Sequence, residues 1–263
     1  MDTLDTLRDL DVPTLTTLVL VALVLVLVAT DPLIGRRQHA ALVAGMAAAP
    51  DADTRDGILR RFYRSWTRQG WLSGAVALAA VLLLPGIGLS DLGLRLPDLG
   101  AMTPDAGDHV ASTVVGAVVG LALGAGILAL VHRRMPLRPR QPVAAVDAMM
   151  PVTPAARRGW AGLSLSAGVT EEITYRGLVV LALAVAVPDL PHAGVVVVAA
   201  LLFGFAHWYQ GWLGMVLTGA LGAAFTQLYL VTGSILLLMV LHVLIDLRPL
   251  LVRPAPAARA EAR

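Results

Sequence analysis

Apolar runs separated by short polar segments recur along the whole chain of 263 residues. A helix needs about 20 mainly apolar residues to cross the hydrocarbon core of a bilayer. The runs predict seven membrane spans, at about 14–29, 70–89, 110–131, 160–187, 193–206, 213–230 and 234–252. The first span is expected to end before Asp31 and Pro32, because proline breaks a regular helix. The long fourth run could also be a shallow segment followed by a span.

The composition favours the same class of protein. Hydrophobic residues make up 57% of the chain, charged residues 14%, and the mean hydropathy is +0.75. A soluble domain averages about a quarter charged residues, so an ordinary soluble domain is excluded. We expect an all-α, polytopic integral membrane helix bundle with about seven spans, within a range of six to eight. The chain has no cysteine, which excludes disulfides, thiolate metal sites and a cysteine nucleophile.

The distribution of charge predicts the topology. Seven arginines lie between residues 31 and 70 and six between 133 and 158, whereas four aspartates lie between 91 and 108. Since arginine-rich loops stay in the cytoplasm, the N-terminus is expected outside and the C-terminus inside. The acidic N-terminus lacks the basic start of a signal peptide, so the first span should be retained. No recognition motif accompanies the arginines, so nucleic acid is not an expected partner.

This pattern divides the chain into three regions. Residues 1–140 hold the first three spans with the arginine-rich loop, and residues 141–252 hold the remaining spans with all the candidate catalytic residues. Residues 253–263 are expected to be a disordered tail, because they are rich in Pro, Ala and Arg and carry no apolar core.

A cluster of charged residues interrupts the fourth apolar run. A charge near the bilayer centre costs at least ~2.5–3.5 kcal/mol, so charged residues there indicate a functional site. Glu172 and Arg176 are four residues apart with the acid first, the favourable order for an ion pair on one helix face. Glu171 lies about 100° around the helix and has no cation of its own, with Tyr175 as its candidate hydrogen-bond partner. Such an acid is a candidate general base.

Two histidines lie on later apolar runs. Phe203 and His207 are four residues apart on the fifth, and His242 and Asp246 have the same spacing on the seventh. Asp246 can therefore hold one nitrogen of His242 and orient the other. We expect these groups and Glu171 to converge in a cavity open toward the cytoplasm, with the chemistry that peptide hydrolysis needs. A proton relay in a transporter uses the same residue types and stays open at this point.

Three motifs follow one another in the order Glu171-Glu172-x-x-x-Arg176, Phe203-x-x-x-His207 and His242-x-x-x-Asp246. Together they resemble the CPBP family of intramembrane endopeptidases, also called the CAAX prenyl protease 2 and bacteriocin-processing family, over about residues 160–250. The resemblance implies that Glu171 with His207 activates the attacking water. It also implies that His242 with Asp246 forms the oxyanion side, and that Glu172 with Arg176 holds the first motif in place.

Two details of the site, the role of Asp246 and the presence of a metal ion, do not follow from the resemblance and are inferred from the residues. Many members of the family have asparagine at the position of Asp246, and a carboxylate cannot donate a hydrogen bond to an oxyanion. We therefore expect Asp246 to orient His242, which is then the donor, while Tyr175 and Phe203 support the site. No cofactor is expected, because no His-Glu-x-x-His motif is present; Zn²⁺ bound by the two histidines and Glu171 is the alternative.

The expected function is that of an intramembrane glutamic-type endopeptidase in the cytoplasmic membrane of a prokaryote. Its partners would be the lipid bilayer and a membrane-embedded or lipid-anchored peptide or membrane protein, including a prenylated CAAX-type substrate. A non-catalytic binding or immunity protein of the same fold is one alternative, and a small proton-coupled transporter is another. The transporter is disfavoured because the chain has no internal repeat. The sequence makes no prediction of oligomeric state.

Overall fold

The structure, a computed structural model, describes residues 3–98 and 146–251. Regular structure in these ranges is helical throughout, with no strand, as the apolar pattern predicts. The helices are α1 (Thr3–Arg8), α2 (Thr14–Ala48), α3 (Ala52–Leu83), α4 (Pro154–Glu171), α5 (Val179–Ala186), α6 (His192–Ala206), α7 (Gly211–Thr232) and α8 (Ile235–Asp246). The expected third span (110–131), the basic segment 133–140 and the tail 253–263 lie outside the described residues.

Two of the described helices are long and apolar enough to cross a membrane. One is α2, with a mean hydropathy of 2.5, and the other is Trp208–Thr232, with a mean hydropathy of 1.5. Only 28% and 33% of their apolar windows are buried, so side chains such as Leu25 and Val216 point away from the bundle. Outward-facing apolar side chains suit contact with lipid. The total of seven spans stays a prediction.

The first predicted boundary was wrong, because α2 continues through Pro32 to Ala48. Proline removes one backbone donor, but a membrane helix tolerates this loss where side chains satisfy the freed groups. The Thr30 hydroxyl donates to the carbonyl oxygens of Val26 and Leu27 (2.8 and 3.0 Å), next to the Val28 carbonyl whose usual donor would be the missing N–H of Pro32. The helix therefore carries Asp31 into the interior of the bundle instead of ending before it.

Residues 70–83 of the second predicted span belong to a longer helix, α3, which ends at Leu83, six residues before the predicted end. It begins after Asp51, whose carboxylate accepts a hydrogen bond from the Thr54 amide (2.7 Å). This cap satisfies one of the free N–H groups at the helix start, and it lowers the pKa of Asp51. The arginine-rich stretch 55–68 is thus helical, and it packs along α4.

The fourth apolar run forms one continuous helical rod from Pro154 to Ala186. Thr153 caps its start, and α4 passes at Glu171 into a π-helical segment, Glu172–Leu178, which continues as α5. The run is therefore one long helix rather than a shallow segment and a separate span. A π-helical turn inserts extra backbone into the rod, and such segments are frequent at functional sites.

The loops gather at two ends of the bundle. Segment 84–98 meets the turn between α7 and α8, where Arg95 Nε donates to the carbonyl oxygen of Gly233 (2.7 Å). At the other end, the Tyr63 hydroxyl on α3 donates to the carbonyl oxygen of Met149, ahead of α4. The predicted topology requires successive loops to lie at alternate ends of the bundle. Which of the two ends faces the cytoplasm stays a prediction.

Helices α4 and α8 approach closely beside the π-helical segment. A Cβ atom added to Gly168 on α4 would lie 2.8 Å from the backbone nitrogen of Val243 on α8. Only glycine allows this approach, because a larger residue would push the two backbones apart. Glu172 lies one turn after Gly168 and His242 directly precedes Val243, so the contact helps to bring these two side chains together.

Candidate active site

Glu172 is the best-connected side chain of the π-helical segment and is fully buried. Its Oε1 atom accepts hydrogen bonds from Arg176 Nη1 (3.1 Å) and from His242 Nδ1 (2.6 Å). The expected ion pair with Arg176 is therefore present, and the bond to His242 is an additional contact. Glu172 therefore joins the first motif to the third across two helices.

The guanidinium group of Arg176 is held by aromatic rings as well as by Glu172. It is 1% exposed and lies 4.2 Å above the ring of Phe203 and 5.3 Å from that of Phe225. A cation over the face of an aromatic ring is attracted by the electron density of that ring. Phe203 thus supports the site through its side chain, and its backbone carbonyl has a second role.

That carbonyl oxygen accepts a hydrogen bond from Nδ1 of His207, at a distance of 2.8 Å. His207 follows the last residue of α6. Because a carbonyl oxygen can only accept, Nδ1 carries the proton, and Nε2 of a neutral imidazole presents a lone pair. The backbone of Phe203 therefore fixes which nitrogen of His207 faces the cavity.

Glu171 lies between the two histidines. Its Oε2 atom is 4.0 Å from His207 Nε2 and 3.9 Å from His242 Nε2. Among the residues that the structure describes, this buried oxygen has no hydrogen-bond partner. A carboxylate oxygen without a donor keeps its full capacity to accept a proton. The two adjacent glutamates thus differ: Oε1 of Glu172 accepts from both Arg176 and His242, whereas Oε2 of Glu171 lies near the two histidines without a hydrogen bond. Oε2 of Glu172 also lacks a donor among the described residues.

Asp246 lies close to His242, as the spacing predicts, but a second carboxylate is bonded to that ring. Asp246 Oδ2 lies 3.8 Å from His242 Nε2, beyond hydrogen-bond range, whereas Glu172 is bonded to Nδ1. The role of Asp246 in orienting His242 stays a prediction, because spacing along one helix does not show which side chain of a facing helix lies closer. Asp246 is near the nitrogen that faces the cavity, beside Glu171.

Tyr175 also has a different partner from the expected one. Its hydroxyl donates to Asp31 Oδ2 on α2 at 2.9 Å, not to Glu171. Asp31 was missed because it was interpreted as the end of the first span. A carboxylate directly after an apolar run indicates a site residue inside the bundle only if the helix continues beyond it, as α2 does through Pro32.

A cavity of about 370 Å³ joins these groups. Its inner wall includes Glu171, Tyr175, His207 and His242. Its lining continues past Asp246 to the end of the bundle where residues 146–150 and 248–249 lie, and includes Trp66, Met149, Tyr209 and Arg248. The four expected catalytic residues therefore share one cavity, together with Asp31.

The donor atoms fit a bound metal ion poorly. Ligands of a tetrahedral Zn²⁺ lie ~2.0–2.2 Å from the metal, hence about 3.3–3.6 Å from one another. The separations around Nε2 of the two histidines are 3.8–4.0 Å. Within residues 3–98 and 146–251, no group of three or more His, Asp or Glu side chains is arranged to hold a metal.

Comparison with known proteins finds a family match for the C-terminal part of the chain, which supplies much of the cavity lining. Residues 155–248 match the family model of type II CAAX prenyl endopeptidase Rce1-like proteins. No curated protein and no solved structure matches the chain. The matched family consists of integral membrane proteases, and the two long apolar helices fit such a protein. The match covers all three motifs, and it confirms the resemblance of residues 155–248 to the CPBP family of CAAX-type endopeptidases that the motifs indicated.

Proposed function

We propose that this protein is a glutamic-type intramembrane endopeptidase that hydrolyses a peptide bond in a membrane-embedded or lipid-anchored substrate. The observation that carries the proposal is the position of Glu171 Oε2, which has no hydrogen-bond donor and lies about equally far from the two histidine Nε2 atoms. The family match supports proteolysis in a membrane. The assignment of roles to single residues is our own inference.

Glu171 and His207 activate the attacking water. A water molecule ~2.8 Å from both acceptors would bridge their 4.0 Å separation with an angle of about 90° at its oxygen. The lone pair of His207 Nε2 accepts one hydrogen and orients the water. Glu171, at the end of α4, accepts the other proton as the water oxygen attacks the scissile carbonyl carbon. The general base and the residue that orients the water therefore come from different parts of the chain.

His242 stabilises the oxyanion that this attack creates. Glu172 accepts from its Nδ1, and Glu171 and Asp246 lie within 4 Å of its Nε2. Carboxylates on both sides favour an imidazolium, which has an N–H group at each nitrogen and can donate from Nε2. The tetrahedral intermediate then collapses: the C–N bond breaks, and Glu171 returns its proton to the leaving amine. The reaction consumes one water molecule and leaves the side chains unchanged.

The proposed reaction uses no metal ion and no cofactor. The support is geometric, since the distances of 3.8–4.0 Å suit hydrogen bonds through water better than direct ligation. Stoichiometric zinc in purified protein, lost in Glu171→Ala or His207→Ala, would overturn this part of the proposal.

The substrate enters from the end of the cavity lined by Met149, Tyr209 and Arg248, which is the cytoplasmic end in the predicted topology. We propose a peptide or membrane protein as the substrate class, with the prenylated CAAX type as the first to test. We place the protein in the cytoplasmic membrane of a prokaryote, with its N-terminus outside and its C-terminus in the cytoplasm.

The test is a comparison of protein termini by mass spectrometry in membranes from cells that express the wild type or Glu171→Ala at matched levels. Asp189→Asn, an exposed change between α5 and α6, is the control for expression and insertion. New termini in the wild type and the control, absent from Glu171→Ala, are expected and would identify the substrate. Identical termini in all three, with prenylated CAAX peptides added to the membranes, would overturn the proposal and favour a binding or immunity protein.

A further inference from the structure

Asp31 contributes a carboxylate to the cavity from outside the region that the family model matches. It lies on α2, while the match covers residues 155–248. It lines the same cavity as Glu171 and His207, and it accepts the hydrogen bond of the Tyr175 hydroxyl at 2.9 Å. The mechanism above uses neither side chain of this pair.

The Tyr175 side chain has little freedom to move. It is 2% exposed, and its ring packs edge-on against Phe203 with 5.2 Å between ring centroids. Its hydroxyl therefore stays near the cavity whichever acceptor it uses. Asp31 is held in turn by the continuation of α2 through Pro32, which is buried. The contact thus joins two fixed elements of the fold.

A phenol has a single proton to donate. Glu171 lies four residues before Tyr175, a spacing at which two side chains on one helix face can meet. If the proton is donated to Asp31, Glu171 receives no hydrogen bond from Tyr175. If it were donated to Glu171, the carboxylate would be stabilised as an anion and would be a weaker base.

We propose that Asp31 is a positioning residue that holds the Tyr175 proton away from Glu171 and so keeps the catalytic carboxylate free to accept a proton from water. The inference rests on the proposed function, because it assigns Glu171 the role of general base. It makes the N-terminal helix α2 part of the active site. Asp31 itself contacts neither the water nor the scissile bond.

The test is a double-mutant cycle on the full-length protein in liposomes, with a substrate peptide identified from the wild-type termini. Asp31→Ala should lower kcat at least about tenfold, with KM changed less, because the freed hydroxyl turns to Glu171. The same substitution in the Tyr175→Phe background should cost at most about threefold, since that background has no proton to misdirect. Equal losses in the two backgrounds would overturn the proposal and indicate a substrate contact or a packing role.

Asp31→Asn provides a second variant of almost the same shape. Its amide oxygen can still accept from Tyr175, so its kcat should stay within about threefold of wild type. A loss as large as that of Glu171→Gln would contradict the inference. The two failures are distinguishable: if wild type cleaves nothing, the proposed function fails, whereas cleavage without coupling between Asp31 and Tyr175 removes only the positioning role.

Discussion

Replacing each of the two adjacent glutamates by glutamine should affect a different property. Glu172→Gln should lower the stability of the protein, and Glu171→Gln should lower its activity. Glu172→Gln removes the negative charge that is bonded to Arg176 and His242, all three of them buried. Breaking a buried ion pair at one partner costs ~3–5 kcal/mol, because the remaining charge has no compensation. With a shift of about 2–4 °C per kcal/mol for a chain of this size, the unfolding temperature should fall by roughly 6–20 °C.

Glu171→Gln should change stability by less than ~1 kcal/mol. The replacement has almost the same shape, and the buried Oε2 atom has no hydrogen bond to lose among the described residues. Its effect should fall on catalysis, since removal of a general base costs about 10²–10⁴-fold in rate. Stability and activity are thus assigned to neighbouring residues.

The assay is thermal unfolding in detergent, followed by tryptophan fluorescence, together with cleavage of a substrate identified from the wild-type termini. Asp189→Asn serves as the exposed control for both readouts. Similar losses of stability in the two glutamine variants would refute the reasoning. So would a Glu172→Gln protein as stable as wild type, because Glu172 would then not be the partner that compensates Arg176.

Three further predictions concern neighbouring features. Asp246→Asn should keep activity within about tenfold, since Glu172 is the residue bonded to His242; a loss equal to that of Glu171→Gln would contradict this. Gly168→Ala should destabilise the protein by ~1–3 kcal/mol, because its Cβ would lie 2.8 Å from the backbone nitrogen of Val243. Gly162→Ala on the same helix has nothing within 4 Å and should be neutral or slightly stabilising in the same unfolding assay. Activity should survive dialysis against a chelator, and a loss restored by added zinc would argue for a metal enzyme.

The sequence predicted the features that depend on local spacing. Apolar runs indicated an all-helical bundle, because a segment without water must satisfy its own backbone groups. The i, i+4 spacing of Glu172 and Arg176 predicted their ion pair, which the structure contains at 3.1 Å. The order of three short motifs was enough to recognise the family. Each of these inferences needs only the spacing of residues within one helix or the order of motifs along the chain.

Contacts between helices were beyond such reasoning. The sequence places Glu172 70 residues before His242, and no spacing rule connects them, yet the two side chains are hydrogen-bonded at 2.6 Å. The π-helical segment was not expected either, because propensity does not distinguish it from an α-helix. Because spacing rules compare only residues of one helix, the partner of Tyr175 was predicted to be Glu171. Its partner in the structure is Asp31 on α2.

Sequence by itself therefore predicted the class of protein and the candidate catalytic residues, since hydrophobic length and helical periodicity are properties of one segment at a time. Tertiary structure alone decided which side chain is bonded to Nδ1 of His242, which carboxylate accepts from Tyr175, and that Asp31 belongs to the cavity. These outcomes depend on how closely helices approach, as at Gly168, and on whether α2 continues through Pro32. Both are settled by packing between segments far apart in the chain.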